Sequence, residues 1–287
     1  MSDDQRRSSA NHRGSGLRVT VLGSFTLTVD GSAVPLGVDS RRLVAYLAVH
    51  PRPQQRAALA ADLWPGVPAA AAVRLLDEAV TAVAVPGLLD EAGNDSPIAL
   101  APAVEVDLAQ AMRLIRTLPE TPAVEPTDTS LLDADILPGW TAAWIAIERE
   151  RFRQLRLHAM EERSLRLAAA ARFDDAVAMA KRAVHAAPSR ESARRALIEA
   201  YLAHGDIAAA VAEYDEYQEL LRSSVGGPTT TGLDGLLPPS PVWPVLRARS
   251  PMPRSAVQLP GIRAVRGGYG GGRRLVAGGS IPGNHAR

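Results

Sequence analysis

From Leu17 to Gly37 the chain reads LRVTVLGSFTLTVDGSAVPLG, with apolar and polar residues in alternation and many Val, Thr and Leu. A period of two marks half-buried strands. It predicts strands over Leu17–Leu22, Thr26–Val29 and Ala33–Pro35, with Asp30-Gly31 as a hairpin turn. At Ser40, a candidate N-cap, the period lengthens. Leu43, Tyr46 and Leu47 share one helical face, and Pro51 stops the helix. A second helix is expected from Gln54 to Trp64, with Leu59, Leu63 and Trp64 inward, closed by Pro65-Gly66. A third is expected from Pro68 to Val85, with Val73, Leu76, Val80 and Val83 inward, closed by Pro86-Gly87. Leu88–Glu91, Ile98–Leu100 and Val104–Val106 then read as a small hairpin around a turn at 93–97, and Asp107 opens a short helix to Leu118. Strands, three helices and a hairpin, in that order, predict a winged helix-turn-helix domain in which the third helix enters a major groove and the hairpin is the wing.

A longer apolar pattern follows. After Gly139, only Pro188 and Gly205 interrupt the helical period up to Leu221. This stretch repeats itself at an offset of 34 residues: Phe173 meets Ile207, Ala176 meets Ala210, Ala180 meets Tyr214 and Ala183 meets Tyr217. That period belongs to the tetratricopeptide helix pair. Ala171 and Gly205 end first helices, and Phe173 and Ile207 open second ones. Ala176 and Ala210 stand where helix axes approach to roughly 8–10 Å. Pro188 fits the closing position of the first unit, whereas the second unit has Arg222 there.

The expected fold is therefore mainly α with a small β part. Residues 1–16 form a disordered leader and 17–118 the winged-helix domain. Residues 119–136, containing PETPAVEPTDTS, form a linker. Residues 137–237 are the tetratricopeptide-like helices, and 238–287 a disordered Arg/Gly/Pro tail.

Composition narrows the chemistry. The chain has no cysteine, which excludes disulfides and thiol catalysis. No apolar run reaches the roughly 18 residues of a membrane span, and the polar N-terminus lacks the apolar core of a secretory signal, so a cytoplasmic protein is expected. The six histidines are scattered without metal-ligand spacing. GGYGGGRR at 267–274 lacks the flanking strand and helix of a phosphate loop. The expectation is no metal, no cofactor and no enzymatic activity. Charge is unevenly spread. Residues 17–110 carry six Arg against ten Asp and Glu, while the tail from Ser223 to Arg287 carries eight Arg against one Asp.

The ordered pieces VLGSFTLTVDGSAVPL, SRRLVAYLAVHP, LAADLWP, LAPAVEVDL, LPGWTAAWIAIERERFRQLRLHAM and AVHAAPSRESARRALIEAYLAHGDIAAAVAEYDEYQELL resemble the antibiotic regulatory protein (SARP-type) transcription factors over Leu17 to Leu237. The resemblance implies an OmpR-like winged helix joined to a bacterial transcriptional activation domain of tetratricopeptide character. It also implies an activator that binds double-stranded DNA as a dimer and recruits RNA polymerase. One stretch departs from the family. RLLDEAVTAV, from Arg74 to Val83, has Asp77 and Glu78 where Arg or a small polar residue is usual, Thr81 at a tryptophan position and Ala82 at an arginine.

Helix starts and turns of a winged helix approach phosphates, so Arg41, Arg42, Arg52, Arg56 and Arg74 are the expected DNA contacts, with Asp77 and Thr81 on the reading face. Asp77 or Glu78 could accept from a cytosine amino group, against phosphate repulsion. Glu148, Arg149, Arg153 and Arg156 form an expected partner surface, or a solvated face of i,i+4 pairs. Trp140 and Trp144, four apart, anchor the first long helix or offer a platform to a partner. Two functions stay open: a DNA-binding transcriptional regulator, and a protein-interaction module whose winged helix no longer binds DNA.

Overall fold

The computed structural model describes residues 16–91, 93, 96–225 and 231–237. The leader through Ser15 and the tail from Pro238 lie outside them, as do the expectations of disorder placed there.

The alternating segment forms β1 (Leu17–Thr20), β2 (Thr26–Val29) and β3 (Ser32–Ala33), joined by antiparallel pairing. Asp30 and Gly31 both take positive φ, 49° and 83°, as a two-residue turn of the favoured hairpin type demands. Then come α1 (Val38–Val49), α2 (Arg56–Leu63) and α3 (Ala69–Val83). The wing is β4 (Leu89–Asp90) against β5 (Ala99–Leu100).

Two expectations need correction here. Ser40 is not a cap: α1 starts at Val38, and the buried Ser40 hydroxyl donates to the Ala79 carbonyl of α3 at 3.0 Å. Val104–Val106 is not part of the wing. Its strand β6 (Glu105–Val106) leaves the hairpin and pairs in parallel with β1, giving the sheet order β3-β2-β1-β6.

Asp107, the first residue of α4 (Asp107–Thr117), explains that departure. Its buried carboxylate accepts from the Val21 and Leu22 amides beyond β1 at 2.9 Å each, and from the Leu108 amide at 2.7 Å. Burial pushes its pKa up while these amides pull it down, with burial the larger effect. Asp107→Ala strands the two β1-end amides, and each unsatisfied buried donor costs about 1–3 kcal/mol. The expected loss of roughly 2–4 kcal/mol is read from urea denaturation. A loss under about 0.5 kcal/mol would show that water satisfies those amides instead.

The helical half is α5 (Ala143–Ala169), α6 (Phe173–Ala186), α7 (Glu191–His204) and α8 (Ile207–Val225). The 34-residue repeat is visible in the fold. Its second helices open at Phe173 and Ile207, just after positive-φ residues at Ala171 (59°) and Gly205 (83°). Ala176, Ala180, Ala183 and Ala210 are fully buried, where small side chains let helices approach closely. Leu233, in the described 231–237 segment, is also buried and packs with Ile198, Ala210 and Tyr217.

The two halves share a spine. Ile145 and Phe152 at the start of α5 belong to the winged-helix core, while Leu157, Met160 and Leu167 further along belong to the core of the helical half. Trp144 lies 5.0 Å from the Tyr46 ring of α1, and Trp140 lies 6.3 Å from both Trp144 and Phe25. The two tryptophans thus anchor α5 to the sheet and α1.

Candidate nucleic-acid interface and its surroundings

The turn after α2 runs through Gly66 at φ 86°, and α3 ends at Ala84 in the left-handed region, φ 46°. Between them α3 buries Ala72, Leu76, Ala79 and Val83. Arg74, Asp77, Glu78, Thr81 and Ala82 remain on its open side. The wing lies alongside, fixed to the start of α2 by paired Gln54 and Ile98 backbone bonds of 2.8 and 2.9 Å.

The seven expected DNA contacts occupy very different surroundings. Arg52 and Arg74 are exposed, with no acidic partner among the described residues. Arg41 is exposed and stacks its guanidinium 5.6 Å from the Trp140 ring. Arg42 donates to the Leu63 carbonyl, sits 5.8 Å from the Trp64 ring and lies 3.7 Å from Asp39. The Thr81 hydroxyl is used within its own helix, donating to the Asp77 carbonyl at 2.8 Å.

Arg56 and Asp77 are joined to each other. Arg56 Nη1 donates to Asp77 Oδ1 at 2.7 Å, and Nη2 to Glu91 Oε2 at 2.5 Å. Its side chain is 10% exposed, against 51% for Asp77 and 34% for Glu91. Its buried Nε has no hydrogen-bond partner among the described residues. One guanidinium thus ties the start of α2, the middle of α3 and the end of the wing strand. Glu91 was not among the residues expected from sequence. The pairing spans 35 residues, and no local spacing signals it.

The expected partner surface on α5 divides in two. Glu148 and Arg153 stay near solvent in short-range pairs. Glu148 lies 3.7 Å from Arg151, and Arg153 bonds Glu150 at 2.9 Å. Arg149 and Arg156 turn instead toward the chain that precedes α5. Arg149 donates to the carbonyls of Ile136, Leu137 and Trp140 at 2.8, 2.5 and 2.9 Å. Those bonds hold Leu137 buried at φ 40°, a conformation that costs a branched residue roughly 1–3 kcal/mol. Arg156, 3% exposed, donates to the Leu132 carbonyl at 2.8 Å and to Asp135 at 2.6 Å.

Arg163 continues the series, with bonds of 2.8 to 3.3 Å to the carbonyls of Thr121, Pro122 and Glu125. Burial and the neighbouring Arg172 and Arg166 push its pKa down. Arg149, Arg156 and Arg163 are spaced by seven, so they form one stripe of α5 that grips the linker along its length. That spacing was readable in the sequence. The carbonyl partners were not, because backbone acceptors leave no trace in residue type.

Among the described residues, no group of three or more His, Asp or Glu side chains is placed to hold a metal. No helix there is long and apolar enough to cross a membrane.

Residues 120–236 match the family described as bacterial transcriptional activator domain, a span that runs from the gripped linker to the segment packed under Leu233. Among solved structures, the chain is similar to one described as Mycobacterium tuberculosis EmbR in complex with low affinity phosphopeptide. The TM-score is 0.59 and the identity 20%. The match covers 82% of this chain and 65% of that one, so this chain spans just under two thirds of its relative's length. A search of the curated proteins found no match.

Proposed function

We propose, for a chain that carries a bacterial transcriptional activator domain and has the architecture of a SARP-type regulator, that it acts at promoter DNA in the cytoplasm. On this reading α3 and the wing approach double-stranded DNA. Helices α5 to α8 present a surface to RNA polymerase or to a second copy of the chain. The observation that carries it is the open side of α3 beside the wing, where Arg74 has no acidic partner among the described residues and Arg52 flanks the start of α2. Lys and Arg near phosphates release counterions, so affinity is expected to fall steeply with salt.

A gel shift on the gene's own upstream region checks this. Binding is expected at low ionic strength, weakened by Arg74→Ala and by Arg52→Ala, each flattening the log–log salt slope by about 0.9. No salt-sensitive binding at low ionic strength would sink the reading.

A second reading is favoured by one observation: Asp77 and Glu91 already hold Arg56. On that reading the winged helix is a docking scaffold and the helical surface binds a protein partner. A pull-down that recovers a stoichiometric partner, together with DNA binding unchanged by Arg74→Ala, would favour it.

A further inference from the structure

Arg56 is the most buried cation of the winged-helix face, and the two carboxylates that hold it lie nearer solvent than it does. Its side chain is 10% exposed, whereas those of Asp77 and Glu91 are 51% and 34% exposed. A guanidinium fork binds carboxylate and phosphate oxygens by the same geometry. Here the two forward donors meet carboxylates at 2.7 and 2.5 Å, while Nε, buried behind them, has no acceptor among the described residues. Arg56 is also the first residue of α2, where the helix dipole favours a negative group. Every feature of the position suits an anion, and the chain supplies two of its own.

From this geometry we infer that Asp77 and Glu91 are built-in counter-ions that withhold Arg56 from a nucleic-acid phosphate, so that they set the affinity of the α3 and wing face. This rests on the reading of that face as a DNA interface and adds its regulation. A docking duplex meets the two carboxylates first and is repelled by them. It reaches Arg56 only when both have given it up. Any change that neutralises or displaces Asp77 and Glu91 converts the cation from a structural tie into a phosphate contact. Glu78 and Asp90 stand nearby without such a role, since neither has a cationic partner among the described residues.

The test is fluorescence polarisation of a labelled mixed-sequence duplex of about 30 base pairs, titrated with full-length protein over a salt series. Asp77→Asn combined with Glu91→Gln is expected to bind about tenfold tighter than wild type at low salt, with a slope steeper by about 0.9. Glu78→Gln with Asp90→Asn removes the same charge without freeing Arg56 and is expected to gain less. Adding Arg56→Gln to the first pair should abolish the excess gain. The single Asp77→Asn variant leaves Glu91 to hold the three elements together and should give an intermediate gain, which guards against loss of folding in the double variant.

Equal gains from both pairs, or a gain that survives Arg56→Gln, would mean that charge alone is at work and would overturn the proposal. Wild-type binding with no gain from the first pair would also overturn it, leaving the DNA reading intact. Absence of binding by every variant at low salt would remove both.

Discussion

Replacing Arg156 with alanine is expected to destabilise the folded chain by about 3 kcal/mol, the low end of the cost of breaking a buried ion pair, because the Asp135 left behind is 30% exposed. The guanidinium is 3% exposed and closes three bonds at once, two to Asp135 and one to the Leu132 carbonyl. What it holds matters as much as what it bonds. The Asp135 carbonyl accepts from the Gly23 amide at 2.8 Å, and the Leu137 amide donates to the Val21 carbonyl at 2.9 Å. The gripped linker is therefore also an extra edge beside the first sheet, and losing Arg156 loosens both halves.

For a folded region of this size, the loss corresponds to a fall in melting temperature on the order of 10 °C. Arg156→Met keeps most of the packing and should lose less than Arg156→Ala, because part of the stem's apolar contact survives. Equilibrium denaturation followed by far-UV circular dichroism checks this. A loss under about 1 kcal/mol would mean that water replaces the guanidinium at Asp135 and Leu132.

Phe152→Ala is expected to have a comparable effect, about 3–5 kcal/mol, from lost transfer energy plus the cavity left behind. Phe152 is 2% exposed and is the last α5 residue of the winged-helix core, five residues before Leu157 opens the part of the helix that belongs to the second core. A cavity there should weaken both halves together. The variant is expected to unfold in one transition, with tryptophan fluorescence and circular dichroism coinciding. Trp64, Trp140 and Trp144 report from the first core, once the fourth tryptophan, Trp243, which lies outside the described residues, is replaced by phenylalanine in both proteins compared, and the circular dichroism comes mostly from α5 to α8. Two separated transitions would show that the shared helix does not couple the cores.

Much of the architecture was legible in the residue pattern. The period-2 segment became β1 and β2, and the three apolar helical faces became α1 to α3. The 34-residue offset placed the starts of α6 and α8 at Phe173 and Ile207. These signals are local, because each strand or helix imposes its own period on the side chains it buries. The exceptions are residues whose role needs a second element. Ser40 reads as a cap because caps are the commonest use of serine before an apolar run. It binds the Ala79 carbonyl instead, since α1 packs across α3. Val104–Val106 reads as wing, yet Asp107 fixes it beside β1 through amides more than 80 residues away.

The candidate interface was less legible than the fold. Arg56 and Asp77 were singled out separately, as a phosphate contact and a base reader, and the structure joins them to each other and to Glu91. Arg149 and Arg156 were expected at a partner surface, and their guanidinium groups hold the chain's own carbonyls. Sequence by itself determined the order of elements, the repeat and the excess of carboxylates over arginines on the first domain. Tertiary structure alone decided which arginines remain available, Arg52 and Arg74 among them. The reason is range. Periodicity is written within one helix or strand, but an ion pair at about 3 Å depends on where separate elements come to rest.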